Sequence, residues 1–115
     1  MASDEQTTVA RLRQAVADFV AARDWQQFHD PKNLSMAIAI EAAELMEHFQ
    51  WLRSDQLEDI GTKERQQIAE ELADVAAFLL SLCNALNIDL SSAIERKMVK
   101  NAAKYPAEQF RGRFR

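Results

Sequence analysis

Two pairs of acidic residues lie inside the most apolar stretches of this sequence. Glu41 and Glu44 are three residues apart in IAIEAAELMEHFQW, and Glu71 and Asp74 have the same spacing in IAEELADVAAFLL. Residues three apart lie close together on one side of an α-helix. Each pair is therefore predicted to form one acidic patch on a helix that is otherwise largely apolar.

The composition favours long helices over a sheet. The chain of 115 residues is 48% hydrophobic and has only two glycines and two prolines, so it offers few residues for tight turns. A chain of this length forms one domain, which we place at residues 1–115 with flexible tails at 1–6 and 107–115. The net charge of −4 argues against a nucleic-acid partner, which would select a basic surface.

Two further features indicate a cytoplasmic protein without a membrane partner. The N-terminus lacks a charged segment followed by an apolar one, as a signal peptide would have. The longest apolar run, at residues 75–86, is shorter than the roughly 20 residues that cross a bilayer. The single cysteine, Cys83, cannot form an internal disulfide and lies in an apolar run, which is typical of a buried residue in a reducing compartment.

Apolar periodicity and capping residues predict four helices and hence an all-α, four-helix bundle. The predicted helices cover residues 7–24, 33–52, 62–87 and 89–105, with Pro31 interpreted as a break before the second. The third helix is apolar on nearly every side from Val75 to Leu86, more than four short helices can bury. We therefore predict a homo-oligomer assembled through apolar helices, and the spacing of apolar residues does not choose between a tetramer and a dimer.

Packing the two acidic patches against each other would bring four negative charges together. Two unit charges about 4 Å apart repel by about 4 kcal/mol at an effective dielectric constant near 20, so the group must take up protons or bind cations. Carboxylates without thiolates or clustered imidazoles select Mg²⁺ or Mn²⁺, which often also binds a substrate phosphate. Acidic pairs at this spacing are also common on solvated helix faces, so both interpretations remain open on spacing alone.

The acidic pairs and their surroundings resemble a known family. E-A-A-E followed by E-L-A-D matches the signature of the MazG-like nucleoside triphosphate pyrophosphohydrolases, which are all-α proteins. The segments RDWQQFHDPKNL, ELMEHFQW, EELADV and KMVKNAAKYP are similar, in the same order, to the branch that contains dCTP pyrophosphatases. The resemblance spans residues 10–106.

The resemblance implies hydrolysis of a nucleoside triphosphate, dCTP or a modified dCTP, to the monophosphate and pyrophosphate. By similarity the metal ligands and catalytic groups are Glu41, Glu44, Glu71 and Asp74, which would hold Mg²⁺ (or Mn²⁺) while one carboxylate assists as general base.

The resemblance also implies a set of substrate-binding residues. Aromatic and imidazole side chains would contact the base, and polar residues of the last long helix would approach the substrate; these residues are Trp25, His29, Trp51, Phe78, Lys97, Asn101 and Tyr105. Phe78 stands where relatives specific for dCTP carry tyrosine, so it lacks a hydroxyl group that could read cytosine.

A rival hypothesis is a non-catalytic helical oligomerisation or interaction module. In such a protein the acids would be structural, and the apolar third helix would form an interface. A carboxylate-bridged di-iron bundle fits poorly, because it needs Glu-x-x-His on two helices, and neither His29 nor His48 has glutamate three residues before it.

Overall fold

The computed structural model describes residues 2–113, which form helices and turns and contain no strand. The helices are α1 (Val9–Ala22), α2 (Pro31–Glu47), α3 (Thr62–Leu86), α4 (Leu90–Lys104) and the short α5 (Ala107–Phe110). Short 3₁₀ helices at Gln26–Phe28 and Ser54–Asp59 lie in the connections before α2 and α3. The predicted all-α class is confirmed, and all four predicted helices are present.

The start of α2 differs from the prediction. Asp30 is the cap, with its carboxylate accepting a hydrogen bond from the Asn33 N–H at 2.8 Å, and Pro31 is the first helical residue. Proline suits this position because the first N–H groups of a helix have no partner within it. The interpretation of Pro31 as a break and the helix start at residue 33 were therefore wrong.

The end of α2 also comes earlier than residue 52. Beyond Glu47 the backbone tightens, and the Phe49 N–H donates to the Met46 carbonyl at 2.9 Å. Bonds of this shorter span commonly close the last turn of a helix. Trp51 therefore lies in a turn rather than on the helix.

Three helices form the packed body of the protomer. α2 packs along α3, and α1 packs on α3 as well. The buried side chains are Val20 of α1, Leu34 of α2, and Leu80, Ser81 and Cys83 of α3. The burial of Cys83 agrees with the prediction from its apolar surroundings.

A polar contact joins α1 to the last turn of α3. Arg13 donates through Nε to Asn84 Oδ1 at 2.9 Å and through a guanidinium NH₂ group to the Ile88 carbonyl at 2.7 Å. Asn84 returns a bond from its amide nitrogen to the Arg13 carbonyl at 3.2 Å. These bonds fix the position of α1 on α3, where the helices bury few side chains.

α4 leaves the body rather than packing along it. It bends away from α3 by 101° and shares few contacts with the other helices. α5 follows in the stretch that was predicted to be a flexible tail, and the Phe110 ring packs edge-on against Tyr105, with 5.3 Å between ring centroids. The predicted tails also include residues 1, 114 and 115, which lie outside the described residues.

Within residues 2–113, no single helix is long and apolar enough to cross a membrane. The bent pair of α3 and α4 meets that criterion only when the two helices are counted together, by length and composition.

Candidate active site

The packing of α2 against α3 brings the acidic residues together. Carboxylate oxygens of Glu41, Glu44 and Glu71 all lie within 4.8 Å of one another. Asp74, one turn beyond Glu71 on α3, has an exposed side chain, and its charge acts on Glu41. Each pair thus contributes to one cluster, which lies between the two helices.

Glu41 has the most perturbed environment in this cluster. Burial raises the pKa of its carboxyl group, and the adjacent Glu44 and Glu71 carboxyl groups and the charge of Asp74 raise it further, from 4.5 to about 7. A carboxyl group with a raised pKa stays protonated to higher pH than usual, and a nearby cation would favour its ionised form.

The cluster has unsatisfied oxygen atoms. Among the described residues, Oε2 of Glu41 and Oε2 of Glu71 are both buried and have no hydrogen-bond partner. Buried polar atoms in proteins are nearly always paired, so these two oxygens are candidates to bind a ligand. Oxygen atoms from several carboxylates are the donors that a hard divalent cation prefers, and the residues present therefore fit such an ion.

Aromatic rings extend from this cluster along one side of the protomer. The His29 ring lies 6.3 Å from Phe78 and 6.3 Å from Trp25, measured between centroids. Phe78 is one turn beyond Asp74 on α3, about 6 Å along the axis. Three of the four predicted base-binding side chains are thus neighbours, and Nδ1 of His29 is buried without a partner.

Packing within a single chain does not bring the remaining predicted substrate-binding residues to the acidic cluster and its neighbouring rings. Trp51 is 85% exposed, in the turn after α2. Lys97, Asn101 and Tyr105 all belong to α4 or follow it directly, and α4 stands away from the body.

Two clefts of the described chain lie away from the carboxylates. One of about 440 Å³ lies between α1 and α3 beside His29, and another of about 430 Å³ lies between the starts of α1 and α4. None of the acidic residues of the cluster lines either cleft.

Phe19 and Arg23 are neighbours of the site that sequence reasoning missed. Phe19 of α1 is 50% exposed and packs edge-on against Trp25, with 5.7 Å between ring centroids. Arg23 covers the Phe19 ring at 3.7 Å. The available signal was the spacing of four residues between them, at which helical side chains touch.

Comparison with known proteins identifies similar chains. A model of the MazG-like family matches residues 36–113. dCTP pyrophosphatase 1 of Mus musculus is 39% identical over 107 residues, which cover 91% of this chain and 63% of the mouse protein. dCTP pyrophosphatase 1 of Homo sapiens is 40% identical over 102 residues, covering 87% and 60%. The chain thus spans less than two thirds of the length of these relatives.

A solved structure is similar over nearly the whole chain. The crystal structure of a pyrophosphatase from Archaeoglobus fulgidus superposes with a TM-score of 0.82 at 38% identity. The match covers 92% of this chain and 99% of the archaeal one.

Proposed function

The chain belongs to the MazG-like family, and from this premise we propose that it is a nucleoside triphosphate pyrophosphohydrolase that depends on Mg²⁺. The proposed reaction converts a deoxynucleoside triphosphate, dCTP or a modified dCTP, into the monophosphate and pyrophosphate. One observation carries the proposal. Three carboxylates converge between α2 and α3, and two of their buried oxygens have no partner.

The proposed metal ligands are Glu41, Glu44, Glu71 and Asp74. Bound Mg²⁺, or Mn²⁺ in its place, would offset the charge of the triphosphate and lower the pKa of a bound water. One carboxylate of the cluster would orient the attacking water and accept its proton at a carboxylate oxygen. Pyrophosphate is then the leaving group, and the nucleoside monophosphate is the second product.

The base is proposed to bind at the ring side chains. Trp25 and Phe78 offer faces for stacking, and His29 between them offers ring nitrogens for a hydrogen bond. Lys97, Asn101 and Tyr105 are proposed to approach the substrate, with the positive charge of Lys97 suited to phosphate. Trp51 completes the proposed set, and its high exposure leaves it available to a ligand or a neighbouring chain.

A homo-oligomer is proposed as the working form, and the surface of the protomer supports this. A compact monomer of 13.1 kDa exposes about 6,400 Å², whereas this chain exposes 9511 Å². Its radius of gyration is 17.2 Å, against about 13 Å for a compact domain of this length. Apolar side chains left exposed include Ile40, Leu72, Leu79, Met98 and Val99.

We propose a tetramer, and the exposed area leaves room for more than one interface. The excess of about 3,000 Å² on one chain is more than one standard interface covers, which is about 800 Å² per partner. Contacts with more than one neighbour would cover it. Such contacts would also pack α4, which carries Lys97 and Asn101.

The test is hydrolysis of a panel of nucleoside triphosphates with Mg²⁺. The panel contains dCTP, a 5-modified dCTP and the triphosphates of the other bases, and the products are separated and identified. We expect pyrophosphate and the matching monophosphate, fastest from a cytosine nucleotide and abolished by chelation of the metal. Release of orthophosphate, or no hydrolysis of any triphosphate, would contradict the proposal.

A binding measurement separates the enzyme from a non-catalytic interaction module. Ligands that bind the native state raise its melting temperature. The enzyme is expected to gain thermal stability from Mg²⁺ together with a non-hydrolysable triphosphate analogue. A module whose acids are only structural would gain nothing from the pair at millimolar concentrations.

A further inference from the structure

The turn that follows α1 has an unusual conformation. Asp24 has a φ of 53°, in the left-handed region that favours glycine. Its N–H donates to the Ala21 carbonyl at 3.1 Å, and the next N–H, of Trp25, donates to the Val20 carbonyl at 3.0 Å. These are the two bonds of a Schellman motif, which reverses the chain at a helix end.

This turn determines where the side chain of Trp25 lies on the protomer. In the Schellman motif the residue after the left-handed one is directed back against the last turn of the helix. Here that residue is Trp25, and its indole meets the edge of Phe19 with 5.7 Å between centroids. A different conformation at Asp24 would direct the indole elsewhere.

Arg23 holds the other side of this contact. Its guanidinium carbon lies 3.7 Å from the centre of the Phe19 ring, and a guanidinium NH₂ group donates to the Phe19 carbonyl at 3.0 Å. A guanidinium over an aromatic face is attracted by the ring and restricts its rotation. Phe19 is thereby fixed as the support for the Trp25 indole.

The supported indole lies at one end of the row of rings described above. Trp25 is followed by His29 and then by Phe78, which stands one turn from the acidic cluster. The outer members of the row, Phe19 and Arg23, lie beyond Trp25 and are exposed. Both contact the row through Trp25, with 5.7 Å between the Phe19 and Trp25 centroids and 6.0 Å from the Arg23 guanidinium carbon to the Trp25 ring centre.

We propose that Arg23 and Asp24 are positioning residues that hold the Trp25 indole in place for stacking on the substrate base. This inference rests on the proposed function, because it assigns a role within that same base site. Neither side chain is required to touch the substrate or the metal.

Two substitutions at Asp24 test the role of the backbone. Asp24→Gly removes the carboxylate but favours the left-handed conformation, whereas Asp24→Val removes it and disfavours that conformation. We expect Asp24→Val to raise KM for the preferred triphosphate about fivefold, as partial loss of base stacking would, with kcat within about twofold. Asp24→Gly is expected to keep the KM of the unsubstituted protein.

Equal KM values for the two variants, whether both raised or both unchanged, would overturn the proposal. Equal increases would mean that the carboxylate itself is needed, and no increase would mean that the turn is irrelevant to binding. Deoxyribose 5-triphosphate, which has no base, serves as the matched substrate. Its hydrolysis must be the same in both variants, since a difference there would indicate general damage to the fold.

A second pair of variants tests Arg23. Arg23→Ala is expected to raise KM in the same manner as Asp24→Val, and Arg23→Lys to restore part of the effect, because a cation remains over the ring. Arg11→Ala, an exposed arginine earlier on the same helix, is the control and should leave KM unchanged. An Arg23→Ala protein with unaltered KM would remove Arg23 from the proposal.

Fluorescence distinguishes failure of this inference from failure of the proposed function. In a Trp51→Phe background the emission reports Trp25 alone, because the chain has only two tryptophans. Asp24→Val should shift that emission and Asp24→Gly should not, whether or not any triphosphate is hydrolysed. If the unsubstituted protein is inactive, the proposed function fails; if it is active and Trp25 emission is unaffected by Asp24→Val, only this inference fails.

Discussion

At the scale of single residues, the acidic cluster opposes the stability of the fold that contains it. Glu41 is half-buried beside Glu44 and Glu71, and ionised carboxylates in such a place repel one another and lose hydration. A raised pKa is the result, because protonation removes one of the repelling charges. The same arrangement favours binding of a divalent ion, which can satisfy the unpaired oxygens.

The raised pKa of Glu41 predicts how stability depends on pH. The group titrates at about 7 in the folded chain and at 4.5 when unperturbed, so between these values the folded state holds more protons. Stability therefore falls as pH rises through this window. In the absence of metal, the melting temperature should decrease from pH 5 to pH 8, and Glu41→Gln should flatten the decrease.

A second measurement follows the melting temperature against pH in the presence of Mg²⁺. Because the metal needs the deprotonated carboxylate, its stabilising effect should grow as pH rises towards about 7 and above. A pH profile that is the same in the unsubstituted protein and in Glu41→Gln would contradict this account of the carboxyl group.

At the scale of secondary structure, the helix starts depend on a few polar side chains. Asp30 bonds to the Asn33 N–H, and the Asn33 amide nitrogen donates both to Asp30 and to the Phe28 carbonyl at 3.1 Å. This cluster fixes the entry into α2, and therefore the direction from which Glu41 and Glu44 approach α3. The bond to the Phe28 carbonyl also connects the aromatic segment before α2 to this helix start.

Removal of this cap should lower stability without abolishing the fold. Asp30→Ala is expected to reduce the free energy of unfolding by about 1 kcal/mol, the usual effect of losing an N-cap side chain. For a domain of this size the melting temperature should fall by about 4 °C. Lys32→Ala, an exposed residue in the same turn, is the control, and equal losses in the two variants would contradict the role of Asp30.

The helices and the acidic pairs could be predicted from the sequence because both depend on local periodicity. A spacing of three residues within apolar stretches is enough to place Glu71 and Asp74 on one helix face. The start of α2 was misjudged because Pro31 both breaks and begins helices, and only the Asp30 cap distinguishes the two. The turn at Asp24 has no periodicity, so the contact of Trp25 with Phe19 could not be foreseen.

At the scale of the whole molecule, much apolar surface of the chain remains uncovered. α4 stands apart from the body, and large apolar side chains remain exposed on α2, α3 and α4. The positions of Trp51 and Lys97 relative to the acids depend on packing between distant parts of the structure, which no local pattern encodes, so they could not be derived from spacing. Assembly would cover the apolar surface and close the site.

The assembly is tested by the mass of the protein in solution. Light scattering should give the mass of four chains, and Val99→Glu should lower it, because Val99 is 72% exposed on α4 and would carry a charge into an interface. Val99→Leu keeps the apolar surface and should leave the mass unchanged. A protein that is monomeric at micromolar concentration would contradict the oligomeric proposal.

The most direct test of the central claim compares two adjacent glutamates. Glu71 contributes a buried, unpaired oxygen to the cluster, whereas Glu70 is exposed and has no place in it. With Mg²⁺ and dCTP, Glu71→Gln should fold normally and lose about 100-fold or more in pyrophosphate release, the scale of a lost catalytic group. Glu70→Gln should retain the full rate. Near-normal turnover by a folded Glu71→Gln protein would contradict the assignment of the carboxylate cluster as the active site.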